Sequence, residues 1–200
     1  MVHAERAALA DDLADLTDLQ WAQQSLCEKW TVEQVVAHLT AGATNSRFRW
    51  LVSVISTGFD FDKHNARQLD AHRGDNPAET LDRFRAIVTS TASPSGHIAA
   101  WLGEVVVHAQ DIRRPLGLSR EPSIAAATAV AHFYASRNFT VSSRSAIEGL
   151  RVVATDSPFA TGTGPLVTGP TLALTMAMAG RSTYCDDLTG PGVHTLRNRL

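Results

Sequence analysis

The sequence is poor in cysteine and lysine, and its net charge is small. Its 200 residues include two cysteines, and only two of the eighteen basic residues, Lys29 and Lys63, are lysines. Cys27 and Cys185 form neither a CxxC motif nor a disulfide framework, which favours a reducing cytoplasm as the location. A formal net charge of −2 gives no electrostatic reason to expect nucleic acid or an anionic membrane as partner.

Long apolar segments are also lacking. The apolar stretch at 172–179 is too short to cross a bilayer, and the acidic, amphipathic N-terminus argues against a signal peptide. A chain of this length with 44% hydrophobic residues can bury a core without disulfides or a structural metal. We therefore expect a cytoplasmic globular protein that acts on small molecules.

Helical periodicity dominates the first three quarters of the chain. It predicts helices over 4–24, from Thr31 to about 55, from Pro77 to 93, over 96–113 and over 122–143. Two of these starts carry specific signals. Thr31 and Gln34 form a capping box, and Asn76 precedes a proline at the first helical position. Residues 57–76 are polar and predict a long loop, and the short connections elsewhere indicate a helix bundle.

The pattern changes near residue 150. The segments LRVVATD and PLVTG are typical of short strands, separated by a turn at 158–164. Pro170 opens a further helix that Gly180 closes, and the final DLTGPGVHTL predicts a turn followed by another short strand. The fold class is thus mainly α, with a helix bundle over 1–145 and a small α+β domain over 146–200.

Three residues could form a metal centre within the predicted bundle. Glu104 and His108 are four residues apart and therefore share one helix face, and His38 lies on another helix. Two imidazoles and a carboxylate are ligands that zinc accepts when one coordination position stays open. The spacing alone leaves two simpler interpretations open: a hydrogen-bonded core histidine at position 38, and a charged helix pair of Glu104 and His108.

A family resemblance bears on this choice. The segments SLCEKWTVEQVVAHLTAG and GEVVVHAQDIRRPLG resemble the DinB-like superfamily, and within it the mycothiol-dependent maleylpyruvate isomerase family. The matching positions are Trp30-Thr31-Val32 with His38 on the first helix, and Glu104, His108 and Asp111 before Leu116-Gly117 on the second. The resemblance implies a DinB-like four-helix bundle that holds a divalent ion, most simply zinc, through His38, Glu104 and His108. It also implies mycothiol as co-substrate.

Several further residues are candidates around such an ion. Asp111 could accept the second ring N–H of His108, although a surface ion pair with Arg114 is an equal alternative. Arg47 and Arg49 could bind anionic groups of the thiol or the substrate, or could simply be solvated, and Arg181 resembles a C-terminal arginine of the family that closes over the site. Cys27 is interpreted as core packing. Pro115 departs from the family pattern and predicts that the ligand helix is shortened or bent there.

Two classes of function remain open at this stage. The first is an enzyme that activates mycothiol for transfer to, or isomerisation of, a small electrophile, either as a monomer or as a homodimer. The second is a non-catalytic DinB-like protein that binds a metal or serves a structural role. A fourth protein ligand, such as His64 or His72 from the polar loop, would favour the second class.

Overall fold

The computed structural model describes residues 1–44, 69–92, 97–139 and 141–200. Contacts divide them into two compact units, Met1–Arg120 and Glu121–Leu200. The first unit is helical and the second combines helices with a small sheet, so the predicted fold class is confirmed. No helix within the described ranges is long and apolar enough to cross a membrane.

Among the described residues, the first unit contains four longer helices, one short turn of helix and a helical segment at 69–72. The first five of these have fully described bounds. They are α1 (Val2–Leu13), the short α2 (Asp18–Trp21), α3 (Val32–Thr44), α4 (Pro77–Ala86) and α5 (Ile98–Leu116). Helix α3 packs against α4 and α5, and α1 packs against the same two helices. Their apolar faces supply fully buried side chains such as Leu9, Val35, Phe84 and Ile112. Burial of these stripes stabilises the bundle, since short helices have little stability alone.

The helices begin at capping residues, and one of these starts lies within a stretch of continuous apolar periodicity. The predicted helix over 4–24 is instead two helices, because Thr17 and Gln20 form a capping box that starts α2. Helix α3 begins after Thr31, as predicted, and its predicted continuation to 55 lies outside the described residues. Asn76 caps α4 through the backbone N–H of Glu79 at 3.0 Å. Helix α4 ends at Ala86, earlier than the predicted end near 93.

Helix α5 continues through Pro115, contrary to the prediction that it would end before this residue. It stops only at Gly117, whose φ of 69° is the left-handed conformation that glycine adopts at a helix end. Proline lacks the N–H that would bond the carbonyl four residues back, which is that of Asp111. That carbonyl instead accepts the backbone N–H of Leu26 at 3.0 Å. The helix thus tolerates the proline because a neighbouring segment replaces the missing donor.

The second unit contains α6 (Ile124–Ser136), α7 (Ser143–Ala146), β1 (Arg151–Ala154), β2 (Ala160–Thr161), β3 (Leu166–Gly169), α8 (Thr171–Met178), a 3₁₀ helix (Ser182–Asp187) and α9 (Val193–Arg197). The strand order is β2-β1-β3, with β1 antiparallel to β2 and parallel to β3. Helix α6 packs on α8 and therefore belongs to this unit. The predicted domain boundary at residue 145 had included α6 in the bundle. The final segment forms one bridge at Thr189 and then α9, where a strand was predicted.

Candidate metal centre

Helices α3 and α5 each carry part of the candidate metal centre. The start of α3 is fixed by the predicted capping box: the Gln34 side chain accepts the Thr31 N–H at 2.9 Å, and Thr31 Oγ1 accepts the Gln34 N–H at 3.4 Å. His38 follows one turn later. On α5, Glu104 and His108 face α3, and the fully buried Ile112 lies one turn further along the helix. Helix packing therefore brings the three predicted ligands together.

The three side chains converge on one small volume. The Nε2 atoms of His38 and His108 lie 3.5 Å and 3.4 Å from Glu104 Oε2, and all three ligand atoms lie within 4.8 Å of one another. A charge-assisted hydrogen bond is usually ~2.8 Å long, whereas two ligands of one tetrahedral zinc ion lie roughly 3.4 Å apart. The separations therefore suit a shared ion better than two direct ion pairs.

Electrostatics in the cluster favour an ionised carboxylate beside imidazole. Desolvation raises the pKa of Glu104, but hydrogen bonding and the charges of His108 and His38 outweigh it and hold that pKa well below its usual range. For His108, desolvation lowers the pKa, and the hydrogen bonds with Asp111, Cys27 and Glu104 raise it well above its usual value. In the absence of an ion, the cluster therefore retains a proton on imidazole, which a metal would displace.

The carboxylate of Glu104 is only partly buried. Its side chain is 38% exposed, compared with 11% for His108 and 29% for His38. The same exposure means that a small molecule can reach the cluster from the Glu104 side.

The other ring nitrogen of His108 faces a second set of groups. Its Nδ1 lies 2.9 Å from Oδ2 of Asp111, whose side chain is completely buried. Cys27 Sγ donates to the same oxygen at 3.1 Å and lies 3.6 Å from Nδ1. Asp111 is thus placed where it orients the imidazole, with its carboxylate away from the surface. Cys27, interpreted from the sequence as core packing, is half-buried beside it.

Trp30, one of the positions that match the family pattern, also lies at the cluster. Its half-buried ring has its centroid 4.7 Å from that of His38 and 6.2 Å from that of His108. Cys27 and Trp30 belong to the segment 22–31, called here the Cys27 loop, which has no helical or alternating pattern. Apart from the family pattern at Trp30, the sequence signal for these two residues is their position directly before the capping box of α3.

The other residues singled out from the sequence are Arg47, Arg49, His64, His72 and Arg181. Arg47, Arg49 and His64 are outside the described residues. Arg181 lies in the second unit before the 3₁₀ helix, where its guanidinium donates to the Ala179 carbonyl at 2.7 Å. His72 Nε2 lies 2.9 Å from Thr44 Oγ1, and His72 belongs to neither of the metal-binding groups found among the described residues.

Comparison with known proteins identifies the first part of the chain. Residues 2–95 match the family described as the mycothiol maleylpyruvate isomerase N-terminal domain. These residues belong to that domain family. The family predicted from the sequence is thereby confirmed. The matched part of the chain contains His38, Trp30 and Cys27, whereas Glu104 and His108 lie beyond it.

Two solved structures share the fold over nearly the whole chain. They are crystal structures of a mycothiol-dependent maleylpyruvate isomerase and of a mutant of it in which alanine replaces a histidine. Each has a TM-score of 0.63 and 16% identity, and each match covers 95% of this chain and 90% of the other. A search of curated proteins found no match. At this identity the likeness establishes the fold.

Proposed function

We propose that this protein is a divalent-metal-dependent enzyme that activates mycothiol for reaction with a small electrophilic substrate. The observation that carries the proposal is the convergence of His38, Glu104 and His108 at ligand spacing. The family match supports it, as does the fold shared with a mycothiol-dependent maleylpyruvate isomerase. Isomerisation of a maleylpyruvate-like compound is the reaction that the relatives favour.

The donor set suits zinc. Two imidazole nitrogens and one carboxylate oxygen are ligands that zinc binds strongly, and a three-residue set is typical of catalytic zinc sites that leave a position for water or substrate. Among the described residues, the group around Glu104 offers three such side chains and no fourth. This arrangement favours an enzyme over a closed structural site.

A zinc ion in this site would lower the pKa of a bound thiol, making the thiolate available at neutral pH. The protein's own groups then have separate tasks. Asp111 holds the proton on Nδ1 of His108 and leaves Nε2 as the ligand atom. The Trp30 ring covers His38 and restricts the orientation of its imidazole. The partly exposed Glu104 side leaves a route for the thiol.

The proposed isomerisation consumes no second reactant, because the thiolate is regenerated. The thiolate forms a C–S bond with one carbon of a conjugated cis double bond, and the electron pair moves to the neighbouring carbonyl. Rotation about the resulting single bond follows. The electron pair then re-forms the double bond in the trans geometry and expels the thiolate unchanged. A transferase would instead retain the C–S bond and release a leaving group or take up a proton.

Metal analysis tests the centre itself. Wild type purified after growth with zinc is expected to contain about one zinc per chain. His38→Ala and His108→Ala should lose it, and the control His3→Ala, at an exposed position on α1, should retain it. Circular dichroism checks that each variant is folded. Folded variants that keep the wild-type zinc content would refute the proposed ligand set.

A separate assay tests the reaction. Metal-loaded wild type is incubated with mycothiol and maleylpyruvate, and the loss of the cis isomer is followed against the same mixture without thiol. A chlorobimane replaces maleylpyruvate in a parallel assay for transfer. We expect thiol-dependent turnover that disappears in His108→Ala. Zinc binding without consumption of either electrophile would contradict the enzymatic proposal and favour a metal-binding protein without turnover.

A further inference from the structure

The Cys27 loop is attached to α5 at the residue that orients His108. Leu26 N–H donates to the Asp111 carbonyl at 3.0 Å, and Cys27 Sγ donates to the Asp111 carboxylate at 3.1 Å. The carbonyl is accessible to the loop because Pro115, four residues later, has no N–H to offer it. Gln23 adds a third bond by donating from Nε2 to the Pro115 carbonyl at 3.0 Å. Main chain and side chain of Asp111 are thus both held by the loop.

The backbone of Cys27 is itself fixed from both sides. Its N–H donates to Ser25 Oγ at 3.0 Å, and its carbonyl accepts the Trp30 N–H at 2.8 Å and the Gln24 side-chain amide at 2.8 Å. The loop closes through an antiparallel bridge between Gln24 and Thr31, directly before α3. The thiol is therefore presented from a rigid turn, so its position relative to α5 is determined by the fold.

One carboxylate oxygen serves both the thiol and the imidazole. Asp111 Oδ2 accepts from Cys27 Sγ at 3.1 Å and lies 2.9 Å from Nδ1 of His108, in a side chain with no solvent exposure. The carboxylate is thus buried from bulk solvent, and the groups packed around it fix its orientation. A carboxylate turned away from Nδ1 would release the ring of His108 and allow the wrong nitrogen to face Glu104.

We propose that Cys27 is a positioning residue, whose thiol orients Asp111 and thereby holds His108 with Nε2 directed at the ion site. This inference rests on the proposed function, because it assigns a role around the same metal centre. It makes the Cys27 loop the element that links the start of α3 to the ligand face of α5. The thiol acts through its hydrogen bond and forms no bond to the metal.

Direct ligation is the competing role for this thiol. Cys27, His108 and Asp111 also lie close enough to hold an ion among themselves. The separations argue against it, because 2.9 Å and 3.1 Å are hydrogen-bond lengths and ligands of one tetrahedral ion lie about 3.4 Å apart. An ion there would also compete for Nδ1 with the bond that orients the ring.

Zinc affinity, measured by competition with a chromophoric chelator, tests the role. Wild type is compared with Cys27→Ala, Cys27→Ser and the control Cys185→Ala, which removes a thiol from the second unit. Orienting groups around a metal ligand typically contribute 10–100-fold to affinity, so we expect roughly a tenfold loss for Cys27→Ala. Cys27→Ser retains a donor and should restore most of the affinity. Equal affinity of Cys27→Ala and wild type, or equal losses in both variants, would overturn the proposal.

A double-mutant cycle tests whether the effect passes through Asp111. Asp111→Asn alone is expected to lower zinc affinity, and adding Cys27→Ala should cause no further loss, because the orienting carboxylate is already gone. Independent, multiplying losses would overturn the proposal. The comparison uses only folded variants, checked by circular dichroism. Cys27→Val, which also lacks a donor, supplies the same cycle if Cys27→Ala does not fold.

Cobalt substitution supplies a spectroscopic signature. The wild-type cobalt protein should lack the near-ultraviolet charge-transfer band of a thiolate–cobalt bond, and a band that Cys27→Ala removes would show direct ligation and overturn the proposal. The failure of the proposed function has a different signature: wild type would then bind neither zinc nor cobalt in a His38- and His108-dependent manner. The two results are therefore distinguishable.

Discussion

At the scale of single residues, the candidate centre depends on the two nitrogens of one imidazole. Nδ1 of His108 makes a hydrogen bond of ordinary length to Asp111, whereas Nε2 faces Glu104 at 3.4 Å. The first contact keeps the ring proton on Nδ1, because an ionised carboxylate can accept a hydrogen bond from the ring but cannot donate one. The second directs Nε2, whose proton a metal would displace, at a site that His38 also faces. A single side chain thus joins the orienting groups to the ligand set.

This arrangement predicts a pH-dependent contribution of His108 to the stability of the metal-free protein. Its pKa is raised in the folded state, so its stabilising contribution is complete below the unfolded value of 6.5 and is lost as pH rises through the folded pKa. The difference in unfolding free energy between wild type and His108→Gln should therefore be largest near pH 6. The difference should shrink steadily at alkaline pH.

Urea unfolding in the presence of a chelator, repeated from pH 6 to pH 9, measures this difference. Glu104 stays ionised in that range because its pKa is held low, and it adds no slope of its own. His3→Gln is the control, since it alters an exposed histidine of the same unit. A difference between wild type and His108→Gln that is constant, or that grows with pH, would contradict the assigned environment of His108.

The sequence predicts the candidate ligand residues but not their surroundings. His38, Glu104 and His108 are predicted from helical spacing and a family pattern, and Asp111 is predicted because it lies three positions after His108 on one helix. Cys27 and Trp30 lie in a loop whose path depends on backbone bonds to Asp111 and within the loop itself. Such contacts leave no periodic trace in a single sequence, so the contacts of these two residues with the cluster could not be predicted.

At the scale of helices, capping side chains determine where each element begins. The boxes at Thr17 and Thr31 each satisfy backbone N–H groups that a helix start leaves without partners. Apolar periodicity continues across the first of these boxes, which explains why one helix was predicted over 4–24. Pro115 produced the opposite error: a helix end was predicted where the Leu26 N–H compensates for the missing donor.

Thr31→Ala tests the contribution of the capping box to the helix that carries His38. Loss of the cap is expected to lower the unfolding free energy by about 1 kcal/mol, because the Gln34 N–H loses its acceptor. Denaturant unfolding of the metal-free protein measures the change. Thr128→Ala is the control, since its hydroxyl bonds only a carbonyl of its own helix α6, and it should change stability by less than about 0.5 kcal/mol. An effect of Thr31→Ala as small as that of the control would show that the cap is dispensable.

At the scale of the whole molecule, the three proposed ligands all belong to one unit. His38, Glu104 and His108 lie within Met1–Arg120, whereas α6, the sheet and Arg181 lie within Glu121–Leu200. The sequence predicted a bundle followed by a smaller α+β part, but it placed α6 in the bundle. An alanine-rich helix is apolar on several faces, so its pattern does not specify its partner. The packing of α6 on α8 specifies this partner in the structure.

This division predicts that metal binding and any role of the second unit can be separated by one substitution. Arg181→Lys should leave zinc content and zinc affinity unchanged, because the three proposed ligands all lie in the first unit. If Arg181 binds an anionic group of the thiol or substrate, the same variant should lower kcat/KM at least tenfold, since lysine cannot replace the paired donors of a guanidinium. Arg151→Lys, at an exposed strand end of the same unit, is the matched control.

Steady-state kinetics with mycothiol and maleylpyruvate, alongside metal analysis, measure both effects. Unchanged kinetics would limit Arg181 to its observed bond with the Ala179 carbonyl, and a loss of zinc would show that the ligand set depends on the second unit.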